Sequence, residues 1–129
     1  MSAELVLIVE DNELNLKLVR DVLEFHGYDT AEARTAEAGV EIATHRSPQL
    51  ILMDLQLPGA DGFTALTQLR SDPETASIPV VALTAFAMTA DRERCLGSGF
   101  DGYLQKPISV RDLPEQVAGF IAAREPKRT

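Results

Sequence analysis

The chain has 129 residues, 45% of them hydrophobic, and sets 20 acidic against 12 basic side chains for a net charge of −8. Such a length fits one domain whose core buries about two-thirds of the unfolded surface, and the apolar content excludes intrinsic disorder. The acidity repels phosphate backbones and anionic lipid, arguing against nucleic acid as a direct partner. No apolar run approaches the ~18 residues of a membrane span, and "MSAELVLIVED" is no signal peptide.

In chain order, "LVLIVE" (5–10) is an apolar run of strand length, followed by a helical period over 13–26. There Leu16, Val19 and Leu23 recur on one face, Leu18 and Val22 widen the stripe, and Gly27 suits the C′ position. "YDTAEA" (28–33) is the weakest strand pattern and is placed at a sheet edge, where burial demands less. Thr35 caps a second helix that runs to about Arg46 and stops before Pro48. "QLILMD" (49–54) reads as a strand buried on both faces, because no polar residue alternates within it before Asp54.

Asp61 can cap a third helix with Phe63, Leu66 and Leu69 facing inward. "PVVALTA" (79–85) is the next strand, and a fourth helix is expected over 87–98, ending at Gly99. "DGYLQK" (101–106) is a short last strand. The last helix carries Val110, Leu113, Val117, Phe120 and Ile121 on one face. Its start is open between Ser109 and Asp112, because Pro114 is comfortable only in a first turn. The single cysteine, Cys95, allows no internal disulfide; it fits a reducing cytoplasm and a packing role in the fourth helix. Phe86, Met88 and Phe100 read as core. His26 and His45 fall at helix C-termini, where they suit the macrodipole.

Strict alternation of strand and helix implies a doubly wound α/β fold: five parallel strands, right-handed crossovers and five helices on the two faces. The chain reads as one domain over 1–129, with a core of about 4–123 and a charged tail at 124–129. In such a sheet ligands bind at the carboxyl ends of the strands. Those ends carry Glu10 and Asp11, then Asp54, Thr84 and Lys106. With the order 2-1-3-4-5, strands one and three are neighbours and the three acids converge.

Two carboxylates about 4 Å apart repel by roughly 4 kcal/mol at an effective dielectric of 20, so three pairs would cost on the order of 12 kcal/mol. Coupled protonation relieves part of that, and a bound dication relieves the rest. Oxygen ligands without His or Cys point to Mg²⁺, or Mn²⁺ in its place. A lysine and a hydroxyl facing a metal make a clamp for a phosphoryl group, and Asp54 between them can be the nucleophile that forms an acyl phosphate. The bland readings are a solvated turn or helix cap for Glu10 and Asp11, a surface lysine for Lys106, a β-former for Thr84 and an edge residue for Tyr103. Lys106 is followed by Pro107, which can set a tight turn.

The segments "LIVEDNELN", "ILMDLQLPGADG", "PVVALTAF" and "YLQKPIS" together resemble the signature of response-regulator receiver domains over essentially the whole chain. "VEDNELN", "TAFAM" and "KPISV" more narrowly resemble stand-alone cell-cycle receivers of the DivK kind. The resemblance implies a flavodoxin-like, CheY-like fold and a phosphorelay role. Asp54 would accept phosphate from a sensor histidine kinase, hybrid kinases included, or from a histidine phosphotransfer protein. Asp11, Asp54 and the backbone carbonyl of Gln56 would bind Mg²⁺, with Glu10 helping through water. Lys106 would pair with the phosphate and Thr84 would hydrogen-bond to it.

Tyr103 would then turn inward, reshaping the face of helix four, strand five and helix five for a downstream protein target. Gln56 and Phe86 are expected to flank the path of the hydrolytic water and so to set the phosphoryl lifetime. The chain would act in the cytoplasm, as a monomer or a weak phosphorylation-dependent dimer, and not as an enzyme. An aspartyl-phosphate phosphatase is the enzyme alternative; it would need a second Asp where Gln56 stands. A phosphorylation-independent interaction domain would not need the acids, Thr84 and Lys106 together. A flavin carrier would need a phosphate loop after the first strand.

Overall fold

The computed structural model describes residues 4–55, 57, 62–84, 93, 97–106 and 108–124. Within them run β1 (Leu5–Val9), α1 (Glu13–Phe25), β2 (Asp29–Ala33), α2 (Ala36–Arg46), β3 (Leu50–Asp54), α3 (Gly62–Ser71), β4 (Val80–Thr84), β5 (Gly102–Gln105) and α4 (Leu113–Arg124). All strand pairs are parallel and the sheet order is β2-β1-β3-β4-β5. This is the flavodoxin-like doubly wound order, in which β1 and β3 meet at the topological switch point. Four helices lie among the described residues instead of the five expected, because most of the segment predicted as helical over 87–98, Cys95 included, falls outside them; of its described residues, 93 and 97 are helical.

The period-two alternation of strand side chains builds two apolar layers. Leu7, Val9, Ile51, Met53, Val80 and Ala82 face α2 and α3, while Val6, Ile8, Leu50, Leu52, Val81, Leu83 and Leu104 face α1 and α4. β3 and β4 are buried at every position, so neither can alternate polar residues. β2 at the edge alternates instead.

The helix ends follow local chemistry. Asn12 caps α1, its side chain accepting from the Asn15 amide at 3.0 Å, and Thr35 caps α2 in the same way at 3.1 Å from the Ala38 amide. Past α1, Gly27 takes a φ of +92°, and the amide of Tyr28 donates back to Leu23 O at 3.1 Å, the closure that a left-handed C′ glycine permits. The start of α4 resolves the Ser109–Asp112 ambiguity. A turn spans 110–112, with Leu113 N bonded to Ser109 O at 3.0 Å, and the regular helix begins at Leu113 with Pro114 in its first turn.

Val110, which the sequence placed on the helix face, stands instead on that turn half-exposed, while Leu113, Val117 and Ile121 carry the buried face. Phe63, expected inward, is only partly buried; its ring meets Phe100 edge-on at 5.5 Å and covers the α2–α3 layer.

Candidate functional site

The carboxyl ends of β1, β3 and β5 bring four of the expected side chains into one cluster. Glu10 follows β1, its amide held by Ala33 O at 2.9 Å, and only 1% of the residue is exposed. Asp54 closes β3 and is also buried. Lys106 follows β5, and its amide donates to Thr84 O at 2.7 Å, tying the lysine to the end of β4. From there its ammonium lies 2.7 Å from Glu10 Oε1 and 3.0 Å from Asp54 Oδ2. One carboxylate oxygen each from Glu10, Asp11 and Asp54 lies within 4.8 Å of the others. The crossover topology makes this possible: acids 43 positions apart in sequence sit side by side because β1 pairs with β3.

Asp11 is exposed beside the two buried acids. The bland reading had it capping α1, but Asn12 takes the cap, so the Asp11 carboxylate is not committed there. Thr84 ends β4 buried, in register with Gln105 and next to Leu83, the partner of Asp54. Tyr103 pairs with Ala82 and packs partly buried on the α2–α3 layer, the side that the alternation also gives Thr84. Gln56 and Phe86 lie outside the described residues, as does Pro107. His26 forms the C-cap of α1, and His45 bonds Glu41 O at 2.8 Å in the last turn of α2; neither joins the cluster.

Electrostatics sets the protonation of the cluster. Burial, followed by a hydrogen bond to Asp54, pushes the Glu10 carboxyl up to about 7, and the Lys106 ammonium acts in the opposite direction. Burial alone would lower the lysine, but hydrogen bonds to Glu10 and Asp54 outweigh it and raise its pKa, so Lys106 is a fixed cation. Apart from that cation, Glu10 Oε1 has no hydrogen-bond donor among the described residues, which leaves a buried oxygen under-satisfied. An under-satisfied buried carboxylate oxygen beside two more carboxylates is a donor set that fits a hard, oxygen-seeking dication.

Two residues that sequence reasoning missed shape this end of the sheet. Asn12 was passed over because Asp11 is an equally good cap by residue type. Gly62 opens α3 and packs onto the main chain of Asp54 and Leu55; a side-chain carbon there would lie 2.8 Å from Asp54 O. The "DG" dipeptide was the only signal, and it reads equally well as a turn.

The response regulator receiver domain family matches residues 6–118. The chain is 45% identical over 116 residues to the polar-differentiation response regulator DivK of Brucella ovis, covering 90% of this chain and 94% of that one. Among solved structures, the receiver domain of a sensor histidine kinase from Pseudomonas aeruginosa, described with a magnesium ion coordinated in its active-site cleft, aligns with a TM-score of 0.86 at 32% identity, over 94% of this chain and 99% of that one. A response regulator structure from Chloroflexus aurantiacus aligns with a TM-score of 0.88 at 27% identity, over 94% and 99% of the two chains. The match of family, length and sheet order leaves one conclusion: the chain belongs to the response regulator receiver domains of two-component signalling.

Proposed function

We propose that the 129 residues form one receiver domain, with 124–129 as its charged tail, that accepts a phosphoryl group on Asp54 and passes the signal on by protein contacts. The observation that carries this reading is the buried Asp54 carboxylate held 3.0 Å from Lys106 beside Glu10 and Asp11. Mg²⁺, or Mn²⁺, held by Glu10, Asp11, Asp54 and the backbone carbonyl of Gln56, would supply positive charge against the carboxylates and the phosphoryl oxygens.

Asp54 acts as nucleophile. One carboxylate oxygen attacks the phosphorus of a phosphohistidine, the P–N bond breaks, and the imidazole leaves with the electron pair and takes up a proton. Lys106, already poised between the carboxylates, moves onto the phosphoryl oxygens, where its charge is needed as the bond shifts. Thr84 donates its hydroxyl to the same group, and Tyr103 follows on the shared side of β5. That movement changes the face made by residues 87–98, β5 and α4, to which a downstream protein binds. Gln56 and Phe86 would flank the hydrolytic path, as the resemblance implies. An apolar ring there slows water and gives the long phosphoryl lifetime that suits cell-cycle or developmental control.

The surface beside the site supports a helical phosphodonor, such as a histidine kinase or phosphotransfer protein. Leu14, Leu18, Val22 and Phe25 make an apolar stripe along α1, with Leu14 79% and Phe25 86% exposed. Val110, four residues beyond Lys106, joins Val22, Phe25 and His26 in one groove. The exposed apolar stripe of α1 and the groove that Val110 closes beside its C-terminal half suit an amphipathic helix presenting a histidine.

Incubation with phosphoramidate and Mg²⁺ tests the reading. Wild type should take up one phosphoryl group, and Asp54→Asn or chelation of the metal should abolish uptake. Equal labelling of Asp54→Asn overturns the assignment.

A further inference from the structure

We propose that Gly62 is a positioning residue for Asp54: its missing side chain lets the first turn of α3 rest on the peptide that carries the phosphoacceptor. The inference rests on reading Asp54 as that phosphoacceptor. Gly62 is buried and belongs to α3, and its φ does not lie in the left-handed region, so backbone conformation does not require a glycine there. In a helix a glycine is otherwise a weaker choice than alanine. Close approach is what requires it. A Cβ at position 62 would stand 2.8 Å from Asp54 O, 3.2 Å from Leu55 Cα and 3.2 Å from Leu55 Cδ2.

Two of those three atoms are main chain and cannot swing aside as the end of a side chain can. The strand end is also pinned from its other side. Leu55 N donates to Leu83 O at 3.1 Å, and Lys106 N donates to Thr84 O at 2.7 Å one position further along β4. A carbon inserted at position 62 must either lift α3 or push the Asp54–Leu55 peptide against β4. The second movement shifts the Asp54 carboxylate relative to the lysine that stands 3.0 Å from it. Transfer chemistry tolerates such a displacement poorly, because a 1 Å misplacement can cost about 100-fold in rate.

The other tight glycines differ in what they meet. Gly39 would strike Val9 Cγ2 at 2.7 Å and Gly102 would strike the Phe120 ring at 2.4 Å, both of them side chains. Gly102 also lies at the amino end of β5, away from the acids, which makes it the control for a close contact without a site beneath it.

The experiment compares wild type, Gly62→Ala, Gly102→Ala and the double variant Gly62→Ala/Leu55→Ala. Each is assayed for phosphorylation by phosphoramidate at saturating Mg²⁺, for Mg²⁺ affinity by calorimetry and for unfolding temperature. Gly62→Ala should be phosphorylated about tenfold more slowly and bind Mg²⁺ more weakly, whereas Gly102→Ala should lose stability with both readouts near wild type. Shortening Leu55 should not restore the rate, because the main-chain contacts remain.

A wild-type rate in Gly62→Ala, an equal slowing in Gly102→Ala, or recovery in the double variant would each overturn the proposal. Should Gly62→Ala unfold, the same comparison is made in trimethylamine N-oxide, which favours the folded state without touching the site. Labelling of Asp54→Asn, run alongside, would show instead that the phosphoacceptor reading had failed.

Discussion

Glu10 and Lys106 determine how the metal-free site responds to pH. Glu10 titrates near 4.5 in the unfolded chain and near 7 when folded, chiefly because burial disfavours its charge. A raised carboxyl stabilises the fold while protonated, so its contribution is complete below about 4.5 and is lost as the pH rises through about 7. Denaturant unfolding in a chelator should therefore give lower stability at about pH 8 than at about pH 5. A flat or rising profile over that window contradicts the assignment. Mg²⁺ competes with the same proton, so its thermal stabilisation should grow over the same interval. At a hundredfold excess over Kd, linkage gives about 2.7 kcal/mol.

Asp11 differs because it is exposed and caps nothing. Asp11→Asn should weaken Mg²⁺ binding in calorimetry and leave metal-free stability unchanged or slightly higher, since a repelling charge has gone. An unchanged Mg²⁺ affinity would remove Asp11 from the site. The convergence of Glu10, Asp11, Asp54 and Lys106 was legible in the sequence, because each stands at the carboxyl end of a predicted strand. Asn12 was not, because two adjacent residues compete equally for one cap. Gly62 was not, because a close approach of two main chains leaves no pattern in composition.

The elements are held by contacts that hydropathy does not encode, and Arg70 gives the clearest case. From the last turn of α3 its guanidinium donates to Ala76 O at 3.0 Å, Ile78 O at 2.7 Å, Gly99 O at 3.1 Å and Asp101 Oδ2 at 2.8 Å. Asp101 also accepts from Val80 N at 2.8 Å, so one ion pair ties α3, the connection into β4 and the start of β5 together. Nothing in the spacing of Arg70 separates it from a solvated surface arginine, since its partners are carbonyls contributed by the fold.

Arg70→Met should cost about 2–3 kcal/mol in denaturant unfolding, because it takes the cation from the part-buried Asp101 carboxylate and the donor from the Ala76 and Ile78 carbonyls. Its phosphorylation rate should stay near wild type, because the network lies at the opposite end of the strands from Asp54. A loss below about 0.5 kcal/mol would show water replacing the guanidinium freely. Val110 shows the same limit in another form. Its spacing fits the apolar face of α4, but Asp112 N bonds back to Ser109 Oγ at 3.3 Å and a turn intervenes, which turns Val110 outward into the groove beside α1.

At the scale of the whole molecule the sequence was most informative. Uninterrupted apolar runs such as Leu50–Met53 can only be central strands, and the alternating, half-polar β2 can only be an edge. With right-handed crossovers that leaves few topologies, and the observed 2-1-3-4-5 order is the one that gathers the acids. The same order puts Thr84 and Tyr103 on one side of the sheet, next to the lysine-bearing end of β5. In the proposed mechanism a change at Asp54 would reach the molecular surface through β4 and β5 without a change of fold.

The central claim is that Asp54 carries the phosphoryl group, and its most direct test is chemical trapping. After phosphorylation with phosphoramidate and Mg²⁺, borohydride reduces an acyl phosphate to a primary alcohol and releases phosphate, turning the modified aspartate into homoserine. Peptide mapping should find homoserine at position 54 and at no other aspartate. Its appearance at another aspartate, or full phosphorylation with no homoserine at position 54, would contradict the account.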